Sequence, residues 1–154
     1  KEALFNILGA DIRDASLLDL FAGTGSVGIE ALSRGAAFVR FVDNNHHAVT
    51  TIKLNLQHTH LEEHAEVLLA DAFVLLRRPP DHQFDYIYVA PPQYIRLWEL
   101  TMMALDANPD WLSSDGWIII QMDPVEYQAK TYTNFQEFDQ RRYGSTLLVF
   151  LKRR

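Results

Sequence analysis

The sequence predicts an α/β fold with a mostly parallel sheet, and three observations support this prediction. Strand-like apolar runs alternate with helix-like segments along most of the 154 residues. A glycine turn separates the first run from the helix that follows it, and the last two runs flank a short polar turn. Alternation predicts parallel strands, right-handed crossovers and helices on both faces, whereas the last pair predicts an antiparallel hairpin. We expect a single domain over residues 1–154.

The elements follow one another in a regular order. An amphipathic helix, Lys1–Leu8, leads into a buried strand, Leu17–Phe21. The next helix, Ser26–Arg34, ends at Gly35, because glycine suits a left-handed C-cap. The last predicted helix carries two adjacent apolar rows and should lie flat on the sheet. The remaining predicted strands are 38–43, 65–70, 84–89, 116–122, 135–142 and 146–152, and the remaining predicted helices are 45–58, 72–77 and 95–107.

Composition sets limits on the class of protein. Cysteine is absent, which excludes disulfides and thiolate–zinc sites. There is no 18-residue apolar run, so we expect no membrane span and a cytoplasmic location. The net charge of −6 is unfavourable for gripping a polyanion. The chain starts inside a predicted helix without an initiator Met, and we expect an N-terminal segment to precede it in the full protein.

The glycine turn brings bare backbone up to a ligand. Gly23 and Gly25 permit a sharp turn and leave no side chain in the way, and the helix behind them offers free N–H groups. No Lys-Ser/Thr pair follows, so the turn is not a P-loop. The spacing to Gly28 fits a dinucleotide motif, but Asp19 would then lie near the pyrophosphate. An acid at that position is better matched to a cationic group, such as the amine of an amino acid.

An aspartate lies at or near the end of three predicted strands. Asp19 lies on the first strand, Asp43 ends the second, and Asp71 directly follows the third. Asp43 comes 18 residues after Gly25, near the ~20 expected of a carboxylate that takes ribose hydroxyls. Since the carboxyl ends of parallel strands share one sheet edge, we expect a ligand there.

This pattern resembles the class I S-adenosylmethionine (SAM) methyltransferases. The resemblance implies that the first acid and the glycine loop hold the methionine part, the second acid takes the ribose, and the third lies near the adenine. The implied fold is the Rossmann-like seven-stranded sheet of that superfamily. The implied cofactor-binding residues are Asp19, Phe21, Ala22, Gly23, Thr24, Gly25 and Gly28, then Asp43 with Asn44, and Asp71 with Ala72.

The stretch after the fourth strand is the candidate catalytic turn. Amino-methyltransferases carry Asp/Asn/Ser-Pro-Pro-aromatic here, and the first side chain accepts a hydrogen of the target amine. Ala90 replaces that acceptor, so backbone carbonyls of the turn and the Gln93 amide would have to accept instead, while Tyr94 would stack on the base. A plain proline turn is the structural alternative. The implied catalytic residues are Ala90, Pro91, Pro92, Gln93 and Tyr94.

Two blocks, Lys1–Leu8 and Asp19–Ala36, resemble one family closely. It is the bacterial 16S rRNA guanine-N2 methyltransferases of the RsmD type. The resemblance implies SAM-dependent methylation of a guanine exocyclic amine, with 16S rRNA or the small ribosomal subunit as partner. It implies neither metal nor membrane, and we expect a monomer.

Two other functions remain open. The acceptor could be DNA, a protein or a small molecule, or the chain could bind SAM without catalysis because Ala90 lacks an acceptor. The segment His60–His64 matches H-x-x-E-H, a zinc-peptidase signature. It falls between a helix and a strand, where a solvated connection is expected.

Overall fold

Seven strands form one sheet in the computed structural model, which describes residues 1–92 and 96–154. The predictions for Gln93, Tyr94 and the helix start at Ile95 lie outside these residues. The strands are β1 (Ser16–Asp19), β2 (Phe38–Asp43), β3 (Ala65–Leu69), β4 (Phe84–Val89), β5 (Leu112–Met122), β6 (Phe135–Tyr143) and β7 (Thr146–Arg153). The α-helices are α1 (Glu2–Leu8), α2 (Ser26–Ser33), α3 (His46–Thr59), α4 (Ala72–Leu76) and α5 (Leu97–Ala107).

The strand order is β3-β2-β1-β4-β5-β7-β6. Strands β1 to β5 run parallel, and β7 is antiparallel to both β5 and β6. The predicted Rossmann-like sheet with a C-terminal antiparallel hairpin is therefore confirmed. The order reverses between β1 and β4, which places the topological switch point there.

Alternating side chains of the strands bury two apolar clusters, one on each face of the sheet. Leu17 belongs to the cluster that α1, α2 and α3 cover, together with Phe41. Leu18, its neighbour in sequence, belongs to the cluster beneath α4 and α5. This period of two explains why the strands are apolar almost throughout, since both of their faces are covered.

Two strands differ from their predicted bounds by more than one residue and one helix differs in its packing, whereas several other elements differ by a single residue. Strand β1 ends at Asp19 rather than Phe21, because regular pairing on both sides stops there. Leu20 still donates to the Tyr88 carbonyl on β4, whereas Ala22 donates to the Val42 carbonyl on β2. Strand β5 begins four residues before Gly116, at Leu112, and its pairing with β4 shifts register in the polar stretch that hid this start. In α5 one apolar row is buried.

The buried row of α5 contains Trp98, Met102 and Leu105, whereas Leu100 of the other row is 48% exposed. The prediction that both rows pack on the sheet was wrong, because α4 and α5 share this face and contact each other. Within the described ranges, no helix combines the length and the apolar character needed to cross a lipid bilayer.

Gly28 allows α2 to approach the sheet closely. A Cβ at this position would lie 2.3 Å from Cε2 of Phe41 and 2.8 Å from Cγ1 of Val39. Both side chains belong to β2 and are fully buried. The third glycine of the motif therefore serves the contact between helix and strand, which holds the glycine turn above the sheet.

We predict that Gly28→Ala lowers the free energy of unfolding by about 3 kcal/mol, because the added methyl overpacks a rigid aromatic contact. Gly144→Ala is the matched control: its Cβ would meet nothing within 4 Å, and only its φ of +58° opposes the change. Gly144→Ala should lower the free energy of unfolding by about 1 kcal/mol. Urea denaturation measures both, and equal losses would contradict a packing role for Gly28.

Candidate cofactor and acceptor site

A cavity of about 570 Å³ opens at the carboxyl edge of the sheet. It spans the ends of β1, β2, β3 and β4, and therefore includes the topological switch point, where α/β proteins bind their ligands. Its volume falls in the range of small-molecule sites. The lining residues are Leu20, Phe21, Gly23, Asp43, Asn44, Ala70, Asp71, Ala72, Phe73, Ala90, Pro91, Pro92 and Leu97.

The glycine loop forms the floor of this cavity near β1. Gly23 and Gly25 have φ values of +59° and +82°, which side-chain-bearing residues rarely adopt. The Gly25 N–H donates to the Ala22 carbonyl at 2.8 Å, and the Asn55 amide donates to the Thr24 carbonyl at 3.1 Å. Gly25 is the N-cap residue of α2. The loop is thus held in shape before any ligand arrives.

Asp43 joins the loop to the start of α3. Its Oδ2 accepts the Gly23 N–H at 2.9 Å, and its Oδ1 accepts the Asn45 N–H at 2.9 Å. Each carboxylate oxygen has a second lone-pair direction. The side chain lines the cavity and is therefore both a brace for the loop and a potential acceptor for hydroxyl groups.

The third acid and two aromatic rings form the opposite wall. Oδ1 of Asp71 accepts the N–H groups of Phe73 and Val74 at 2.7 and 3.2 Å, which caps α4. Phe73 packs edge-on against Phe21, with ring centroids 6.4 Å apart. Together with Ala72 they give this end of the cavity the apolar surface that a planar heterocycle requires.

Asp19 is buried beneath the loop. It is 1% exposed, and its Oδ1 has no hydrogen-bond partner among the described residues. Burial raises the pKa of this carboxyl to about 7, the backbone N–H of Phe21 opposes the rise, and the charge of Asp43 adds to it. An orphaned buried oxygen carries a desolvation penalty, which a cationic ligand group would remove.

The turn after β4 borders the cavity on the remaining side. Ala90, Pro91 and Pro92 all line it. Before the turn, the Tyr88 hydroxyl donates to Oε1 of Gln121 on β5. Burial and the charge of Asp19 raise the pKa of Tyr88, so this hydroxyl keeps its proton and acts as the donor.

The structure brings most of the predicted site residues to one edge, but not all of them face the cavity. Those lining it are Phe21, Gly23, Asp43, Asn44, Asp71, Ala72, Ala90, Pro91 and Pro92. Asp19, Ala22, Thr24 and Gly25 lie in or beneath the loop, and Gly28 contacts β2. The assignments of Gln93 and Tyr94 lie outside the described residues.

Sequence reasoning missed four apolar residues of the wall, which are Leu20, Ala70, Phe73 and Leu97. Each lies one or two residues from a predicted site residue or at the start of α5. Phe73 had a usable signal, since an aromatic two residues after a helix-capping acid at the ligand edge is placed to contact a base.

The H-x-x-E-H segment adopts no single helix. His60 is the left-handed C-cap of α3, and Glu62–His64 forms a separate 3₁₀ turn. The zinc-peptidase signature requires both histidines on one helix face, and the two histidines here do not share one. Among residues 1–92 and 96–154, no group of three or more potential ligands is placed to hold a metal ion.

A family model described as "Conserved hypothetical protein 95" matches residues 1–152. The chain belongs to this family. It is the RsmD family: Ribosomal RNA small subunit methyltransferase D of Haemophilus influenzae is 35% identical over 125 residues, which are 80% of this chain and 64% of that protein. The family resemblance predicted from the sequence is confirmed, and the chain is a methyltransferase.

Solved structures confirm the fold of this RsmD-family chain. The yhhF protein of Escherichia coli superposes with a TM-score of 0.89 at 28% identity, covering 99% of this chain and 84% of that one. The Thermus thermophilus 16S rRNA N2 G1207 methyltransferase, RsmC, solved with AdoMet and guanosine, gives 0.75 at 22% identity, covering 99% of this chain and 41% of its own. At 22% identity, the similarity to RsmC shows a shared fold alone.

We predict that the buried Asp19 makes stability fall with rising pH. Its pKa in the folded state, about 7, lies above the 3.8 that is ordinary for an exposed aspartate carboxyl. Between these values the unfolded chain releases a proton that the folded chain keeps, so the free energy of unfolding decreases with pH and levels off above the folded pKa. Relative to Asp19→Asn, the wild type should lose about 2–4 kcal/mol between about pH 4 and pH 8.

Urea denaturation at several pH values measures this difference. Asp115→Asn, a change at an exposed carboxyl on β5, is the control and should leave the pH dependence unaltered. Parallel curves for wild type and Asp19→Asn would show that Asp19 is ionised in the folded protein and would contradict the burial argument.

Proposed function

We propose that this chain binds SAM in the 570 Å³ cavity and methylates the exocyclic N2 amine of a guanine in small-subunit rRNA. The observation that carries the proposal is the convergence of four strand ends on one cavity. These ends supply two carboxylates, an aromatic wall and a proline turn to the cavity, and the buried Asp19 carboxyl lies beneath its glycine loop. The name of the Haemophilus relative supports rRNA as the acceptor.

The residues fit the cofactor first at its cationic end. Asp19 offers an unpartnered carboxylate oxygen beneath the glycine loop. The α-ammonium of the methionine part would be the group that compensates its burial, and the loop backbone leaves room for the chain beside it. Binding there would favour the ionised form of Asp19 and lower its pKa.

The nucleoside end fits the other two acids. Asp43 would accept the ribose hydroxyls on the lone pairs that the Gly23 and Asn45 N–H groups leave free. The adenine would lie against Phe73 and Ala72, beyond Asp71. Thr24 and Gly25 would contribute by holding the loop, and Gly28 would act through helix packing alone.

The acceptor side is the turn at Ala90. SAM held in the cavity would supply an electrophilic sulfonium methyl group; transfer would form the nitrogen–methyl bond, leave the sulfur as a neutral thioether and release one amine proton to solvent. The chain has to hold the amine in line and accept its hydrogens, because its lone pair is otherwise delocalised into the ring. The proline turn has carbonyl acceptors at Ala90 and Pro91 for this task.

Cationic side chains near this edge favour a nucleic acid despite the net charge of −6. Arg141 and Arg142 precede the turn between β6 and β7, which lies at the same edge as the end of β5. Both are exposed, and such side chains bind phosphates. The target guanine would be exposed in a loop or flipped out of its stack.

A second candidate function rests on Ala90. This position lacks the side-chain acceptor of other amino-methyltransferases, and a chain without acceptor function would bind SAM without transferring its methyl group. The two functions differ in one observable: only the methyltransferase transfers the methyl group of SAM to an acceptor molecule.

We predict that Asp43→Ala weakens SAM binding by about 10- to 100-fold, because it removes charged hydrogen bonds to the ribose and frees the loop. Isothermal titration calorimetry measures the affinity, and circular dichroism checks that the variant is folded. Asp115→Ala is the control, since its exposed carboxyl lies near the start of β5, away from the carboxyl edge of the sheet. Unchanged affinity in Asp43→Ala would refute the ribose assignment.

The function itself is tested with the natural full-length protein, tritiated SAM, and two acceptors: undermodified small ribosomal subunits and naked 16S rRNA. We expect label in N2-methylguanosine after digestion to nucleosides. Measurable SAM binding with label in neither acceptor would favour the non-catalytic candidate. Label in a different nucleoside would retain the methyltransferase and reject the guanine.

A further inference from the structure

A second, smaller cavity adjoins the proline turn. Its volume is about 140 Å³, and it shares Ala90 and Pro91 with the larger cavity. A group held in it would lie directly beside the methyl donor site. It is too small for a whole ligand, but it can receive the edge of one. The lining residues are Ala90, Pro91, Gln121, Met122, Asp123, Ser145 and Thr146.

Asp123 contributes a fixed acceptor to this cavity. Its Oδ1 accepts the Val125 N–H at 3.0 Å, which caps the 3₁₀ turn Pro124–Glu126 and orients the carboxylate. Its Oδ2 makes no hydrogen bond to any residue in 1–92 or 96–154. The side chain is only partly exposed. One carboxylate oxygen is therefore held in place and available.

Gln121, near the end of β5, contributes a donor to the same cavity. Because the Tyr88 hydroxyl donates to its Oε1, the amide is oriented with its Nε2 hydrogens available to another partner. The cavity thus presents an N–H donor near the end of β5 and a carboxylate acceptor two residues later, just after the strand, next to the proline turn.

We propose that Asp123 is the side-chain acceptor that Ala90 lacks, and that with Gln121 it reads the Watson–Crick edge of the target guanine. That edge presents one acceptor, O6, followed by two donors, N1–H and N2–H. The Gln121 amide donates to O6, and the Asp123 carboxylate accepts N1–H and one N2–H. The second N2–H is accepted by a carbonyl of the turn, which leaves the nitrogen lone pair directed at the methyl group.

The same arrangement rejects the other bases that carry an exocyclic amine. Adenine and cytosine each present a ring-nitrogen acceptor beside their amine, and this acceptor would face the carboxylate of Asp123. Two hydrogen-bond acceptors that face each other with no proton between them weaken binding far more than the loss of a methyl contact does. Asp123 is thereby a specificity residue as well as a positioning one. The inference rests on the proposed guanine methylation.

The test compares variants that keep the helix cap and differ in the free oxygen. Asparagine and serine both cap helix N-termini, so Asp123→Asn and Asp123→Ser preserve the contact to the Val125 N–H. Asparagine places an NH₂ group where the free oxygen was. We expect both variants to lose about 100-fold in kcat/KM for labelled transfer to undermodified small subunits, with the Kd for SAM changed less than twofold. Asp115→Asn, a change at an exposed carboxyl near the start of β5, should match the wild type.

A rescue experiment separates acceptor chemistry from structure. The double variant Ala90→Asp with Asp123→Asn carries an acceptor on the turn and should recover at least tenfold in kcat over Asp123→Asn alone. If wild type labels guanine and Asp123→Asn retains activity within threefold, Asp123 is a helix cap only and this inference is overturned. If wild type labels no guanine in any acceptor, the proposed function fails, and the inference fails with it.

Discussion

The site depends on the pairing of β1 between β2 and β4. This strand has four residues, all of them buried, and it is hydrogen-bonded on both sides in parallel register. At its end Leu20 still pairs towards β4 while Ala22 pairs towards β2. The chain therefore opens a gap at one fixed point, above Asp19. The cavity forms at this gap, and most of its lining residues follow the ends of β1, β2, β3 and β4.

The gap leaves the Asp19 carboxyl buried, which is unfavourable for the stability of the fold. Burial of Asp19 with an orphaned oxygen raises its pKa to about 7, which opposes stability at neutral pH. Two apolar clusters, one on each face of the sheet, compensate for this locally unfavourable group. A strained or desolvated polar group in an otherwise well-packed domain is typical of ligand sites. A hydrogen-bond donor or cationic group that reached the free oxygen of Asp19 would relieve this desolvation.

Much of this architecture follows from the sequence because its signals are local. Strands β2 and β4 have the predicted bounds, since largely apolar runs, each with one charged residue inside it, leave few alternatives between the flanking turn residues. Gly28 shows the limit of motif reasoning. The G-x-G-x-x-G spacing contains both ligand-facing and packing glycines, and only the position of Phe41 distinguishes them.

The parts that the sequence did not predict depend on contacts distant along the chain. Phe73 reaches the cavity because it packs on Phe21, more than fifty residues earlier. The early start of β5 at Leu112 depends on its pairing with Phe84, and the exposure of Leu100 depends on how α4 and α5 divide one face. The small cavity at Asp123 forms only when the β6–β7 hairpin returns to β5.

That return also determines how the sheet ends. Because β7 inserts between β5 and β6, the last strand of the sheet is β6 rather than the apolar β7. Its outer residues include Glu137, Asp139, Arg141 and Arg142, and its pairing is interrupted by a register shift between Glu137 and Asp139. Charges and a bulge on an edge strand discourage a further strand from adding to it. The hairpin thus protects this edge of the sheet against edge-to-edge aggregation.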